Sequence, residues 1–210
     1  MTSTTDRAYA ELKSDIMSGA LKAGDRIKEE LIAEKLGVSR TPIRHALQKL
    51  AAQGFIEMSH NHGARVSQWS TQDLGEITDM RALLEGFGAG IAARKITLED
   101  LETLRTLAAE MDQAAERGTP KDLEAITDLN SRFHMTIIAA SGNRRLAEVI
   151  GMLAHPLLVQ RRFSSFSKKQ LQRSMSHHRE LIEALEAGDS DWAGAVMRAH
   201  IHASALVPTE

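Results

Sequence analysis

The sequence predicts a mainly α chain in two parts: three short helices with a β-hairpin, followed by six helices in a bundle. Three observations lead there. Apolar residues recur at helical spacing along most of the chain. Aromatics make up only 4% of its 210 residues, which disfavours an all-β fold. The only β-capable stretches, Phe55–Met58 and Ala64–Ser67, flank a Gly-containing turn, His60-Asn61-His62-Gly63. With 42% hydrophobic and 26% charged residues the composition is that of an ordinary globular chain. The absence of cysteine excludes disulfide scaffolds, zinc ribbons, thiol catalysis and iron–sulfur ligation. No apolar run approaches the roughly 18 residues of a membrane span, and the polar start is not that of a signal peptide, so a cytoplasmic protein without a membrane partner is expected.

The elements follow in order. Asp6 is expected to cap a first helix running to about Ser18, with Tyr9, Leu12 and Ile16 on one face and Gly19 as its stop. A second helix, about Glu29–Leu36, closes at Gly37. Ser39 is expected to cap a third, with Pro42 in its first turn and Ile43, Ala46, Leu47 and Leu50 at helical spacing until Gly54. After the hairpin, Ser70-Thr71-Gln72-Asp73 starts a long helix to about Lys95. Thr97 opens the next, to about Arg117, and Gly118-Thr119-Pro120 precedes a third, about Lys121–Ala140. Asn143 caps a helix that contains Pro156 and is expected to kink near His155. Two more, about Lys168–Ala187 and Asp191–Leu206, are joined by Gly188-Asp189-Ser190. The domain boundary falls between residues 1–69 and 70–210.

Charge separates the two parts. The formal net charge of −2 divides into +2 over residues 1–68 and −4 over the remainder. Between Lys35 and Gln68, Lys35, Arg40, Arg44, Lys49 and Arg65 face a single acid, Glu57. A local basic patch on an acidic whole suggests one face made for an anion. Three helices and a hairpin are the layout of a winged helix-turn-helix. In Gly37-Val38-Ser39-Arg40-Thr41-Pro42-Ile43-Arg44 a tight turn brings a helix N-terminus to the surface. Ser39 and Thr41 offer hydroxyls to phosphates, and Arg40 and Arg44, four apart, project from one face toward a groove. At the wing tip, His62 and Gly63 are placed to approach the DNA backbone or minor groove.

Here the sequence resembles the GntR transcription factors, and within them the FadR-like branch with an FCD regulatory domain. The matching residues are Ile16–Gly24, Leu36–Arg44, Ala46-Leu47, Gly54 and His62-Gly63-Ala64. The resemblance implies a homodimer whose recognition helices and wings read a short palindrome in double-stranded operator DNA. His45 departs from the family, which usually has an acid there, and adds to the basic surface.

In the second part the histidines carry the signal. Asn130 and His134 are four apart, on one helical face. His178 lies 11 residues before Asp189 and His200 11 after it. At about 1.5 Å per residue both sit roughly 16 Å from the turn, at one level of an antiparallel pair. Three imidazoles and an amide oxygen suit zinc, nickel, cobalt or iron better than calcium or magnesium. Asp128 is a rival for the oxygen ligand but lies six residues from His134, on the wrong face. His177 replaces a ligand only if the helix register shifts, His202 reads as a surface neighbour, and His155 reads as structural.

The FCD resemblance covers almost all of residues 71–210. It is carried by Arg81–Glu85, Asn130–His134 with Ser141-Gly142-Asn143, His178–Ile182, and Gly188-Asp189 with Met197–His200. In metal-binding members an acid or amide and three histidines hold one divalent ion; carried over, these are Asn130, His134, His178 and His200. Many members have Asp at the first position, so the neutral Asn130 implies weaker binding and a more positive site. Zinc is the expected ion, with nickel, cobalt, iron or manganese as alternatives. The resemblance further implies a small carboxylate effector at the open coordination positions. Arg81 is the candidate second clamp, against the plainer reading of an ion pair with Glu85 on the same helix. Gly86 and Gly90 read as a close helix contact. No paired carboxylate or nucleophile–base arrangement is placed for catalysis, so the expectation is a regulator and not an enzyme. The alternatives are a metal-dependent enzyme fused to a DNA-binding domain, or a metal-free regulator sensing an acyl-type ligand.

Overall fold

The computed structural model describes residues 3–59, 63–154, 158, 159, 163 and 166–205. The chain divides into two compact units, Met1–Ser70 and Thr71–Glu210. Among the described residues there are nine helices and one three-stranded sheet.

In the first unit α1 spans Thr4–Met17 and is capped by Ser3, not by Asp6. Ser3 Oγ accepts the Asp6 amide at 3.1 Å and donates to the Asp6 carboxylate at 2.6 Å. Both residues are good capping types, and the cap falls on the first because the chain is already extended there. Helix α2, Glu29–Leu36, ends at Gly37, whose left-handed φ of 65° suits glycine. Helix α3, Arg40–Ala52, starts after Ser39, which holds the N-cap position but makes no side-chain cap bond. Its hydroxyl therefore stays available at the surface. Ala8, Leu12, Ile16, Ile43, Ala46, Leu47 and Leu50 are all essentially inaccessible and form the core of this unit.

The hairpin strands are β2, Ile56–Ser59, and β3, Gly63–Val66, antiparallel with Met58 opposite Ala64. A third strand, β1 (Arg26–Ile27), pairs with the other edge of β3, giving the order β1-β3-β2. A two-residue strand carries no sequence period, and the wing is one strand wider than expected for that reason. Phe55, Ile56, Ala64 and Val66 turn inward to close the unit.

The second unit contains α4 (Thr71–Ala92), α5 (Leu98–Arg117), α6 (Pro120–Ala140), α7 (Arg144–Leu153), α8 (Lys168–Glu186) and α9 (Ser190–Ala205). Capping boxes open α5 (Thr97 with Asp100), α6 (Thr119 with Asp122) and α8 (Ser167 with Gln170), and Asn143 caps α7. The expected kink at His155-Pro156 lies outside the described residues. Among the described residues no helix is long and apolar enough to cross a membrane.

Helices α4 and α9 meet through glycine. A Cβ on Gly86 would stand 2.6 Å from Arg198 Cγ and 3.1 Å from the Gly194 carbonyl; one on Gly90 would stand 2.9 Å from the Ser190 carbonyl. Contacts at 86 with 194 and at 90 with 190 fix an antiparallel register. That register carries His200 to the level of Arg81. The main core of the unit gathers Leu104, Met111, Ile126, Phe133, Ile137, Leu181, Met197 and Ile201 around this seam.

Candidate functional site

Helices α6, α8 and α9 bring His134, His178 and His200 together. One ring nitrogen from each lies within 4.8 Å of the others, and all three side chains are buried. The rings of His178 and His200 are 4.7 Å apart, so the two residues do sit at one level of an antiparallel pair. His134 Nε2 and His200 Nε2 are separated by 3.2 Å. Two nitrogens bound to one zinc ion at 2.0–2.1 Å are about 2.9–3.4 Å apart, so this spacing is that of two ligands of one ion. Asn130, one turn before His134, shares a cavity with His134 and His200.

The donor atoms have few partners within the protein. Asn130 Oδ1, both nitrogens of His178 and Nδ1 of His200 are buried without a hydrogen bond. Burial, followed by neighbouring imidazoles, pushes the His178 and His200 rings well below the usual histidine value, so both are neutral and keep a lone pair. Buried polar atoms are nearly always satisfied, and a set left open on facing side chains is suited to a cation. The residues present therefore fit a divalent transition metal.

Glu85 on α4 completes the arrangement. Its carboxylate is fully buried and meets His134 Nδ1 at 2.6 Å and Arg81 Nε at 2.6 Å. Burial alone would raise its pKa, but the charge of Arg81 and the hydrogen bonds from His134 and Arg81 hold it at about 2. An ionised carboxylate can only accept, so Nδ1 of His134 carries the proton and Nε2 presents its lone pair to the cavity. Of the two expected roles of Arg81, the structure shows the ion pair on its own helix. It is ion-paired with Glu85, and it also lines the cavity together with Asn130, His134 and His200. The role of Glu85 was missed in the sequence, where an Arg and a Glu four apart read as a generic helical pair.

Of the rivals, Asp128 and His202 face outward, while His177, half-buried beside His200, has a buried Nδ1 without a hydrogen bond. The cavity has a volume of about 20 Å³, near that of a single water site, and is closed by Val159, Phe163, Phe166 and Ile201.

In the first unit Ser39, Arg40, Thr41 and Arg44 are all exposed at the start of α3. Both arginines lean on α2: Arg40 meets Glu30 at 3.0 Å, and Arg44 holds Glu29 through Nη2 at 3.1 Å. Lys35 pairs with Glu11 and Asp15, and Lys49 with Asp6. The basic window read from the sequence is thus partly neutralised by acids from outside it. Gly63 opens β3 opposite Ser59, while His62 lies outside the described residues.

Residues 76–203 match the FCD domain family and residues 4–66 match the bacterial regulatory proteins of the gntR family. A probable D-xylose utilization operon transcriptional repressor of Paenarthrobacter nicotinovorans is 31% identical over 189 residues, 90% of this chain and 81% of its own. The HTH-type transcriptional regulator McbR of Escherichia coli is 29% identical over 196 residues, 90% of this chain and 85% of its own. The solved structure of E. coli McbR/YncC superposes with a TM-score of 0.74 at 27% identity, covering 96% of this chain and 95% of that one.

Proposed function

We propose how this chain, which belongs to the GntR family of bacterial regulatory proteins with an FCD domain, is controlled: a small carboxylate metabolite binds beside a divalent metal ion in the helical unit and changes operator affinity. The chain is a DNA-binding transcriptional regulator and not an enzyme, as its relatives are named. The observation that carries the control mechanism is the convergence of three buried imidazoles with Asn130 beside them, where Asn130 Oδ1, both His178 nitrogens and His200 Nδ1 have no partner within the protein. His134, His178, His200 and Asn130 would hold the ion, zinc by donor type, with nickel, cobalt, iron or manganese as competitors. A bound ion supplies positive charge and open coordination positions for a carboxylate, and Arg81 lines the same cavity as a second anchor.

Coupling to DNA runs through α4. This helix begins at Thr71, where the DNA-binding unit ends, and carries Arg81 and Glu85 in the site. An effector that binds one arrangement of the helical unit better shifts its population. In a homodimer reading a palindrome, a small change in the separation of the recognition helices lowers affinity. A dimer surface is available: Met80, Leu83 and Phe87 form an exposed apolar stripe on α4, 65% exposed at Leu83, and α7, which packs on α4, exposes Val149 and Met152. Ser39, Arg40, Thr41 and Arg44 are the proposed DNA contacts of α3, with His62 and Gly63 at the wing.

Elemental analysis of full-length protein from metal-supplemented culture, followed by operator binding with and without the ion, tests this reading. About one equivalent per chain and metal-dependent operator affinity are expected. Less than a tenth of an equivalent overturns the metal role. Sedimentation of Leu83→Glu is expected to give monomer with weakened operator binding.

A further inference from the structure

We propose that Ser174 is an effector-binding residue, donating its hydroxyl proton to a carboxylate oxygen, and that the cavity selects monocarboxylates with a short apolar substituent. The inference rests on the carboxylate reading above. Ser174 lies one turn before His178 on α8, on the same face, and lines the cavity with Arg81, Asn130, His134 and His200. It is 6% exposed, and its Oγ has no hydrogen-bond partner.

That is unusual for this molecule. Helical hydroxyls satisfy themselves on the carbonyl four residues back, as Thr78, Thr127, Ser131 and Ser176 all do. Ser174 does not use this option. Ser204, the other serine among the described lining residues, is already donating to the Ile201 carbonyl at 2.6 Å. The open atoms therefore divide by chemistry. Asn130 Oδ1 and one nitrogen of each neutral imidazole offer lone pairs, suited to a cation. Ser174 offers a proton, suited to an anion beside it.

The remaining wall determines which anion. Arg81 is the only Lys or Arg among the described lining residues, and Glu85 already offsets its charge. Among the described lining residues a second carboxylate finds no cation of its own, and burying an unpaired charge is costly. Val159, Phe163, Phe166 and Ile201 instead offer an apolar substituent a face out of water, with the two phenyl rings 5.3 Å apart edge to face; because the cavity holds about one water, these side chains must move apart to admit it.

The test uses full-length protein loaded with Co(II), whose visible spectrum reports ligand exchange, titrated with acetate, butyrate and succinate. Butyrate is expected to bind more tightly than acetate and at least about tenfold more tightly than succinate, given the penalty for an unpaired buried charge. Ser174→Ala is expected to lose about tenfold in carboxylate affinity, the worth of one hydrogen bond to a charged group, with Co(II) content and melting temperature unchanged. Ser174→Thr, which keeps the hydroxyl, is expected to recover most of the loss. Equal affinities of Ser174→Ala and the parent overturn the hydroxyl contact, and succinate binding as tightly as butyrate overturns the selection. If no carboxylate perturbs the loaded parent, the carboxylate-effector reading itself fails, an outcome distinct from either.

Discussion

Glu85 Oε2 accepts from His134 Nδ1 at 2.6 Å, linking α4 to α6 through a carboxylate wholly removed from solvent. The contact sets the tautomer of His134 and aims Nε2 at the cavity.

Glu85→Gln is therefore expected to lower zinc affinity about 10- to 100-fold, the usual effect of removing a carboxylate behind a ligating imidazole. The amide also leaves Arg81 buried with no opposing charge, so the metal-free variant should melt below the parent. Competition with a chromophoric chelator measures the first effect and calorimetry the second. Unchanged zinc affinity would mean that His134 is oriented by packing against Phe133 and the helix alone.

In metal-stripped protein, stability should depend on pH through His178 and His200. Their folded pKa values lie well below 6.5, mainly because of burial. Between the folded and unfolded values the unfolded chain binds more protons, so stability rises with pH across that interval. The contribution is complete above about pH 6.5 and is lost progressively as pH falls below it. Denaturant midpoints of the metal-free protein at pH 7.5, 6.5 and 5.5 should be nearly level over the first step and drop over the second. In His178→Leu the drop should shrink.

The meeting of His178 and His200 was legible because two antiparallel helices of equal rise place residues equidistant from Asp189 side by side. Asn130 and His134 were legible for the same reason, one turn on one face. What escaped was whatever needs a third element. Glu85 becomes part of the site only when α4 packs on α6, and nothing in Arg81-Ala82-Leu83-Leu84-Glu85 announces a histidine 49 residues away. Likewise Glu29 and Glu30 lie outside the basic window of the sequence but fold against Arg44 and Arg40. The β1 strand exists because Arg26 and Ile27 find an open edge on β3, a condition set by register and not by composition.

Two glycines of α4 should respond in opposite directions to alanine. Gly75 is exposed with nothing within 4 Å of a Cβ, so Gly75→Ala is expected to stabilise by about 0.5–1 kcal/mol through helix propensity. At Gly90 the added methyl would stand 2.9 Å from the Ser190 backbone carbonyl, which cannot rotate away. Separating α4 from α9 there is expected to cost about 1–3 kcal/mol, more than the propensity gain. Because the same seam holds His200 level with Arg81, Gly90→Ala should also weaken metal binding, whereas Gly75→Ala should not. Urea denaturation and metal titration of the pair test both statements; equal stability of the two variants would remove the glycine seam as a positioning device.

Arg40 is the first residue with which to test how the first unit reads DNA. It projects from the first turn of α3, more than half exposed, with its charge shared by Glu30 on α2. An exposed pair of this kind contributes little to folding, so Arg40→Ala should leave the melting temperature within about 1 °C of the parent. On an operator obtained by selection from random duplexes, the same variant should lose about 1–3 kcal/mol of affinity and relax preference at one position of each half-site. If Arg40 contacted only phosphate, the loss would instead be uniform across sequences, and the salt slope would fall by about one for each contact removed. Fluorescence anisotropy at three salt concentrations, on the selected operator and on single-base variants of it, separates the two outcomes. Full affinity and unaltered preference in Arg40→Ala would place the base-reading function elsewhere on α3, with Arg44 the next residue to test.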